Sequence, residues 1–357
     1  MSDVEIHTDD LAPGWDAIDN SLAGLYSEEP LHFGTIVKYR MGGPDPIDGF
    51  SIFRSDKQAP HWHYVTYGLT ELYEKESPDE EFSGYGFEFT MRIPRAPGDD
   101  SEADLTDKLV WVMSLMQNLA RYVFETGNCF DVGHHIDLNS PILLESNSEI
   151  RAVLFAEDAE LAPVDGPFGQ FQFLQLFGIT LDELRAVKQW NSRGMLELFR
   201  KTNPLLITDI NRKSILNDAS VRQAIEKGSE EEGSSTASLF VAEADWQTNG
   251  NACIFALGAF AVDDLRLILP ARICHDRELF IRGKDLSFRF IPAEQNAWKV
   301  EDDTLEIALR KEDAKAFANM LQPKVGMYEF PGLSNFKLRI EKTEIKNNKG
   351  EVVEVIG

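Results

Sequence analysis

The run "HWHYVTYGLTELYE", residues 61–74, places His61 and His63 two positions apart in an alternating pattern. On a β-strand such residues share a face, so both imidazoles point the same way. Two imidazoles on one face could be two of the three protein ligands that a catalytic zinc takes while keeping one position open. His134, His135 or Asp131 would complete the set and make the chain a metal-dependent hydrolase. The same stretch has a second reading, which the neighbouring residues favour. Trp62 and Tyr64 occupy the opposite face while Val65 and Tyr67 continue the histidine face. That is the pattern of a strand buried on both sides, where a histidine gives a ring nitrogen to a backbone carbonyl and serves the sheet.

Cys129 beside "FDVGHH" has the composition of a thiol nucleophile with a histidine base. A free cysteine is also a small buried hydrophobe, and sequence proximity is not hydrogen-bond geometry. Other catalytic signatures are missing. "SGYGFEF" supplies G-x-G without a third glycine, and "IRGKD" lacks the upstream glycine and the Ser/Thr of a phosphate loop. The sequence contains neither a G-x-S-x-G elbow nor an H-E-x-x-H helix. No enzyme, metal or cofactor is implied.

The elements that must position these residues read as follows. Apolar spacing predicts a helix over Trp15–Tyr26, then strands in "FGTIVKYRM", "FSIFR", "HWHYVTYG" and "YGFEFTMRI". In the last of these, Phe87, Phe89 and Met91 alternate with Glu88, Thr90 and Arg92 as in a half-buried strand. A long helix is expected from Thr106 to Phe124, then strands in "RAVLFAE" and "FGQFQFLQLFGI". Thr180 and Glu183 form a capping box opening a helix that reaches Phe199. Another helix, "SVRQAIEKG", ends at Gly228. "SEEEGSSTAS" mixes charge, glycine and hydroxyls without apolar period and predicts a linker at 229–236. The division is therefore domain 1–228, linker 229–236 and domain 237–357, the last with short strands and one helix at "RKEDAKAFANML". Helices and strands mix without regular β-α-β alternation, giving two α+β domains, each a mixed or antiparallel sheet with packed helices.

The 357 residues, 43% apolar, suffice for two cores. Thirty-five Lys+Arg against 60 Asp+Glu leave a net charge of −25. That charge disfavours nucleic acid and anionic membranes and suits a basic protein partner, or simply solubility. Three widely spaced cysteines give no disulfide framework. The acidic start "MSDVEIHTDDLAPGW" does not read as a secretory signal, and the sequence has no apolar run of membrane length. A cytoplasmic protein is expected.

"IVKYRMGGPDPIDGFSIFR", "HWHYVTYGLTELYE", "SGYGFEFTMRI", "NLARYVFETGN", "FGQFQFLQLFGIT", "QWNSRGMLELFR" and "LLITDINR", in this order and spacing, resemble the Suppressor of Fused family. The likeness continues more faintly through "LILPARICHDRELFIRGKDLSFRFI". It implies a non-enzymatic binding protein of two α+β domains. In animal members these clamp a short Gli transcription-factor peptide between them as an added strand. By the same resemblance Tyr122, His134, Glu157 and Leu257 lie near the partner: Tyr122 as an aromatic anchor, Leu257 as an apolar wall. His134 stands where animal members have an aspartate gripping the peptide's histidine, and Cys253 where they have a glutamate. A histidine-bearing peptide thereby loses two carboxylate partners. The long insertion of animal members is missing around "FALGAFAVDD", as in bacterial members. That branch is interpreted as immunity proteins, which makes a toxin domain a candidate partner. A folding partner for a neighbouring gene product is the remaining reading.

Overall fold

A computed structural model describes residues 12–96, 102–284, 286–301, 303–346 and 351–357. The chain divides into two compact units. The first runs to Leu184 and includes Leu196–Ile215; the second holds Arg185–Met195 and everything from Leu216.

The first unit opens with α1 (Pro13–Ala23), whose proline sits in the first turn where its missing N–H costs nothing. Strands β1 (Leu31–Gly34), β2 (Gly49–Ser55), β3 (His61–Tyr67) and β4 (Phe82–Pro94) follow, then the long helix α2 (Glu102–Thr126). Next come β5 (His135–Asp137), β6 (Ile150–Glu157), β7 (Val164–Gly166) and β8 (Gly169–Thr180). One eight-stranded sheet results, ordered β1-β2-β3-β4-β8-β6-β5, with β7 on β8. The β4–β8 pair is parallel and the others are antiparallel, so the sheet is mixed.

Alternation decides what each face buries. Trp62 and Tyr64 of β3 and Phe87, Phe89 and Met91 of β4 pack with Val112, Met116 and Val123 of α2. Val65 and Tyr67, on the histidine face, pack with Ile18 and Leu22 of α1. The half-buried pattern expected for β4 is corrected here: Glu88, Thr90 and Arg92 are as fully buried as the apolar set. They tolerate burial because β3, β8 and the segment after β6 supply polar partners.

Local chemistry explains the other departures. The strand expected through "FGTIVKYRM" stops at Gly34, and Tyr39–Met41 form a 3-10 turn. The helix expected to reach Phe199 breaks into α3 (Leu181–Gln189) and α4 (Ser192–Arg200). Asn191 accepts from the Gly194 N–H at 2.6 Å and starts the second one as an N-cap. At the start of α3, Glu183 reaches back to the Thr180 N–H at 2.8 Å, half of the expected box. Gly228 does not end its helix, because α5 (Ala219–Glu232) continues to a glycine, Gly233, at φ 67°. The expected linker at 229–236 is therefore partly helix: its glutamates favour helix and extend a turn already anchored by buried Ile225.

The second unit continues with β9 (Ser238–Phe240), β10 (Ala244–Asn249), β11 (Ala252–Gly258), α6 (Val262–Ile273), β12 (Leu279–Arg282) and β13 (Ser287–Pro292). It closes with β14 (Ala297–Glu301), β15 (Thr304–Leu309), α7 (Lys311–Met320), β16 (Gly326–Glu329), β17 (Phe336–Glu341) and the hairpin β18 (Thr343–Lys346)–β19 (Val352–Ile356). Two mixed sheets, β10-β11-β17-β16 and β14-β15-β13-β12-β9, share one core with α6 and α7. Helix α6 is additional to the single helix expected here. Leucines and isoleucines surround it and Pro270 lies inside it, so it shows no amphipathic stripe. Both units are α+β. Among the described residues no helix is long and apolar enough to cross a membrane.

Candidate functional site

The two histidines of β3 lie in a buried polar cluster. His63 Nδ1 is 2.7 Å from the Tyr26 hydroxyl and its Nε2 is 3.3 Å from Asp158 Oδ2. With Tyr26 donating to Nδ1, the ring proton sits on Nε2, facing the carboxylate. Arg92 clamps Asp158 at two points, 2.7 and 2.9 Å, and reaches Gln175 at 2.9 Å. Thr90 donates to the same carboxylate at 2.6 Å. Burial and then the neighbouring Arg92 charge push His63 down to about 4, so it is neutral. His63 and Arg92 hold Asp158 well below the carboxylate range despite its burial. His61 turns Nδ1 to the Ala59 carbonyl at 2.7 Å.

The side chains of His63, Arg92 and Asp158 have no exposed surface, so no substrate reaches this Tyr–His–Asp line. The hydrolase set is not brought together either. Three strands, β4, β8 and β6, separate β3 from β5, so His61 and His63 stand roughly 19 Å from the strand that begins at His135. Among the described residues no group of three His, Cys, Asp or Glu is placed to hold a metal. Cys129 is exposed, and its thiol is pushed up by desolvation, opposite to an activated nucleophile.

Three of the residues carried over by resemblance do converge. Tyr122, 38% exposed near the end of α2, lays its ring 5.6 Å from Phe130. Phe130 stacks on Phe155 of β6 at 4.2 Å. The Phe155 N–H donates to the His134 carbonyl at 2.9 Å, which fixes the exposed His134 at the start of β5. The exposed Glu157 lies two residues beyond Phe155 on the same strand face. Asp131 borders this corner: its backbone N–H donates to His134 Nδ1 at 3.2 Å and its carboxylate accepts from Gln172 at 3.3 Å. The result is an aromatic anchor on a rigid stack, ringed by an imidazole and two carboxylates, beside the terminal strand of the sheet.

Leu257 is different. It is 1% exposed on β11 in the core of the second unit, between Ala244 and Ile340. The expected apolar wall is corrected to core: its side chain offers no surface here. Cys253 on the same strand is also buried. Reading the residues alone missed Phe130 and Phe155, which hold the corner. Their signal was an aromatic in "CFDVGHH" and one in "AVLFAE", neither distinguishable from ordinary core.

Comparison with known proteins bears on this geometry. Residues 43–213 match the family model described as Suppressor of fused protein. The chain is 38% identical over 245 residues to the human Suppressor of fused homolog, covering 63% of this chain and 49% of that protein. It therefore spans about half the length of that relative. The crystal structure of Drosophila Suppressor of Fused matches with TM-score 0.76 at 21% identity, over 93% of this chain and 97% of that one, a likeness of fold. A solved Sufu–Fu complex matches with TM-score 0.54 at 28% identity, covering 61% of this chain and 98% of that one.

Proposed function

Because the chain belongs to the Suppressor of fused family, through residues 43–213, we propose that it is a non-enzymatic protein-binding protein. Its contact surface on the first unit is the corner of Tyr122, His134 and Glu157. The observation that carries this is the ring of Tyr122, exposed yet supported through Phe130 by Phe155. An aromatic side chain held rigid at the surface loses little entropy on binding, which is the property of an interaction hot spot. The adjacent β5 ends the sheet order and offers its outer backbone edge to an added strand. Protein binding by a relative, as in the Sufu–Fu complex, supports the same reading.

In its finer form the proposal is sequestration of a peptide or protein partner, with a basic toxin domain as the partner class. The net charge of −25 supports it, since an acidic surface speeds encounter with a basic one. The test is capture of partners by the tagged chain from its source cells, against a Tyr122→Ala bait. One stoichiometric protein lost with the variant, at an unchanged thermal transition, is the expected result. Equal capture by both baits overturns the corner as the contact surface.

A further inference from the structure

The first unit also holds a cavity of about 420 Å³ walled by Tyr39, Tyr73, Tyr85 and Phe124 with Leu69 and Leu72. Phe124 packs its ring 4.9 Å from Tyr39 and 4.8 Å from Tyr85. The backbone around the cavity is pinned. Glu88 Oε1 accepts from the N–H groups of Gly68, Leu69 and Thr70 at 2.9, 3.1 and 2.9 Å. Glu71 likewise accepts from the N–H groups of Glu76, Ser77 and Gly84. The walls are thus formed before any ligand arrives.

The lining carries Asp48, Glu71, Glu74 and Glu76 against Arg40, with Lys38 beside the Tyr73 wall. Glu71 is matched by Lys75 at 2.9 Å, so that pair adds no net charge to the lining. One wall already binds cations: the Arg40 guanidinium lies 3.9 Å from the Tyr73 ring centroid and the Lys38 ammonium 4.4 Å.

The geometry points to this cavity as a second contact site, taking an arginine side chain from a basic segment of a protein partner against the Tyr39–Phe124–Tyr85 rings, with Glu74 and Glu76 meeting its charge. A flat, weakly hydrated guanidinium stacks on such rings better than an ammonium does. The site shares no lining residue with the Tyr122, His134 and Glu157 corner and goes beyond the proposed function.

The probe is a fluorescently labelled tetra-arginine peptide, its affinity for the full chain read by anisotropy. Any cation is drawn to a chain of charge −25, so the controls decide. Tyr39→Ala, at a position 45% exposed, should weaken binding about tenfold, and Glu74→Gln with Glu76→Gln similarly. Glu230→Gln with Glu231→Gln, the same charge change on exposed α5 positions, should leave affinity within about twofold. Equal weakening by both glutamate pairs, or no effect of Tyr39→Ala, overturns the site and leaves diffuse attraction. The probe is synthetic, so its outcome does not depend on partner capture through Tyr122.

Discussion

Arg92 and Asp158 form a two-point ion pair, 2.7 and 2.9 Å long, with neither side chain exposed to solvent. It joins β4 to the residue that follows β6, across the intervening β8 that supplies Gln175. A buried pair contributes little net stability once desolvation is counted, but breaking it strands a charge.

Arg92→Met should therefore destabilise the first unit by about 3–5 kcal/mol, because Asp158 keeps its burial and loses its main partner. Arg92→Met combined with Asp158→Leu should recover much of that loss. Urea unfolding of the single and double variants checks it; equal destabilisation in both would mean that packing, not charge, is at stake.

Two buried groups titrate against each other. His63 is pushed from 6.5 down to about 4 by burial and Arg92, so the stability tied to its neutral form is present above pH 6.5 and lost as pH falls toward about 4. Glu88 is pushed from 4.5 up to about 7, chiefly by burial, so its contribution is present below pH 4.5 and lost as pH rises through about 7. Each is worth on the order of 3 kcal/mol with opposite slope, so the two largely offset each other between about pH 5 and 6.5. Glu88→Gln keeps an oxygen for the Gly68, Leu69 and Thr70 amides and removes one slope. Its stability should rise with pH across that window. Parallel wild-type and variant profiles would count against the opposition.

Trp190 is held between two glycines of the second unit. A Cβ on Gly194 would lie 2.2 Å from its ring, and one on Gly228 would lie 2.3 Å away. Alanine is the better helix former by about 1 kcal/mol inside α5, yet overpacking costs about 1–3 kcal/mol. Gly228→Ala should thus destabilise, opposite to propensity, and detach the Trp190 Nε1–Glu232 hydrogen bond of 3.0 Å. Tryptophan fluorescence alongside unfolding reads both effects.

The proposed contact role of His134, carried over from the resemblance to animal members, has its own test. His134→Asp should tighten a histidine-bearing peptide about tenfold or more, since a charge-assisted hydrogen bond contributes about 1.5–3 kcal/mol. Calorimetric titration checks it, and unchanged affinity would remove His134 from the contact surface.

The strands around the histidines were legible because alternation in β3 is strong and both of its faces carry large side chains. The burial of Glu88, Thr90 and Arg92 was not legible. Thr90 and Arg92 meet Asp158, and Arg92 meets Gln175, more than sixty residues away. Glu88 is met by Thr66 and the 68–70 amides at the end of the neighbouring strand; alternation reports polarity, not what covers it. The break at Trp190–Asn191 escaped because apolar spacing continues across it while one side-chain cap ends the helix. Tyr122, His134 and Glu157 were reached through resemblance alone. Nothing in their local spacing marks them, since they meet only through Phe130 and Phe155. Leu257 shows the converse: reached through the same resemblance, it sits in the core of the second unit.

The central claim is that a partner docks on the Tyr122 corner beside β5. Amide hydrogen exchange of the chain, alone and with its captured partner, tests it most directly. Protection should appear at the backbone amides of residues 129–137 on complex formation and be reduced with Tyr122→Ala. Protection confined to other segments, with 129–137 exchanging as in the free chain, would contradict it.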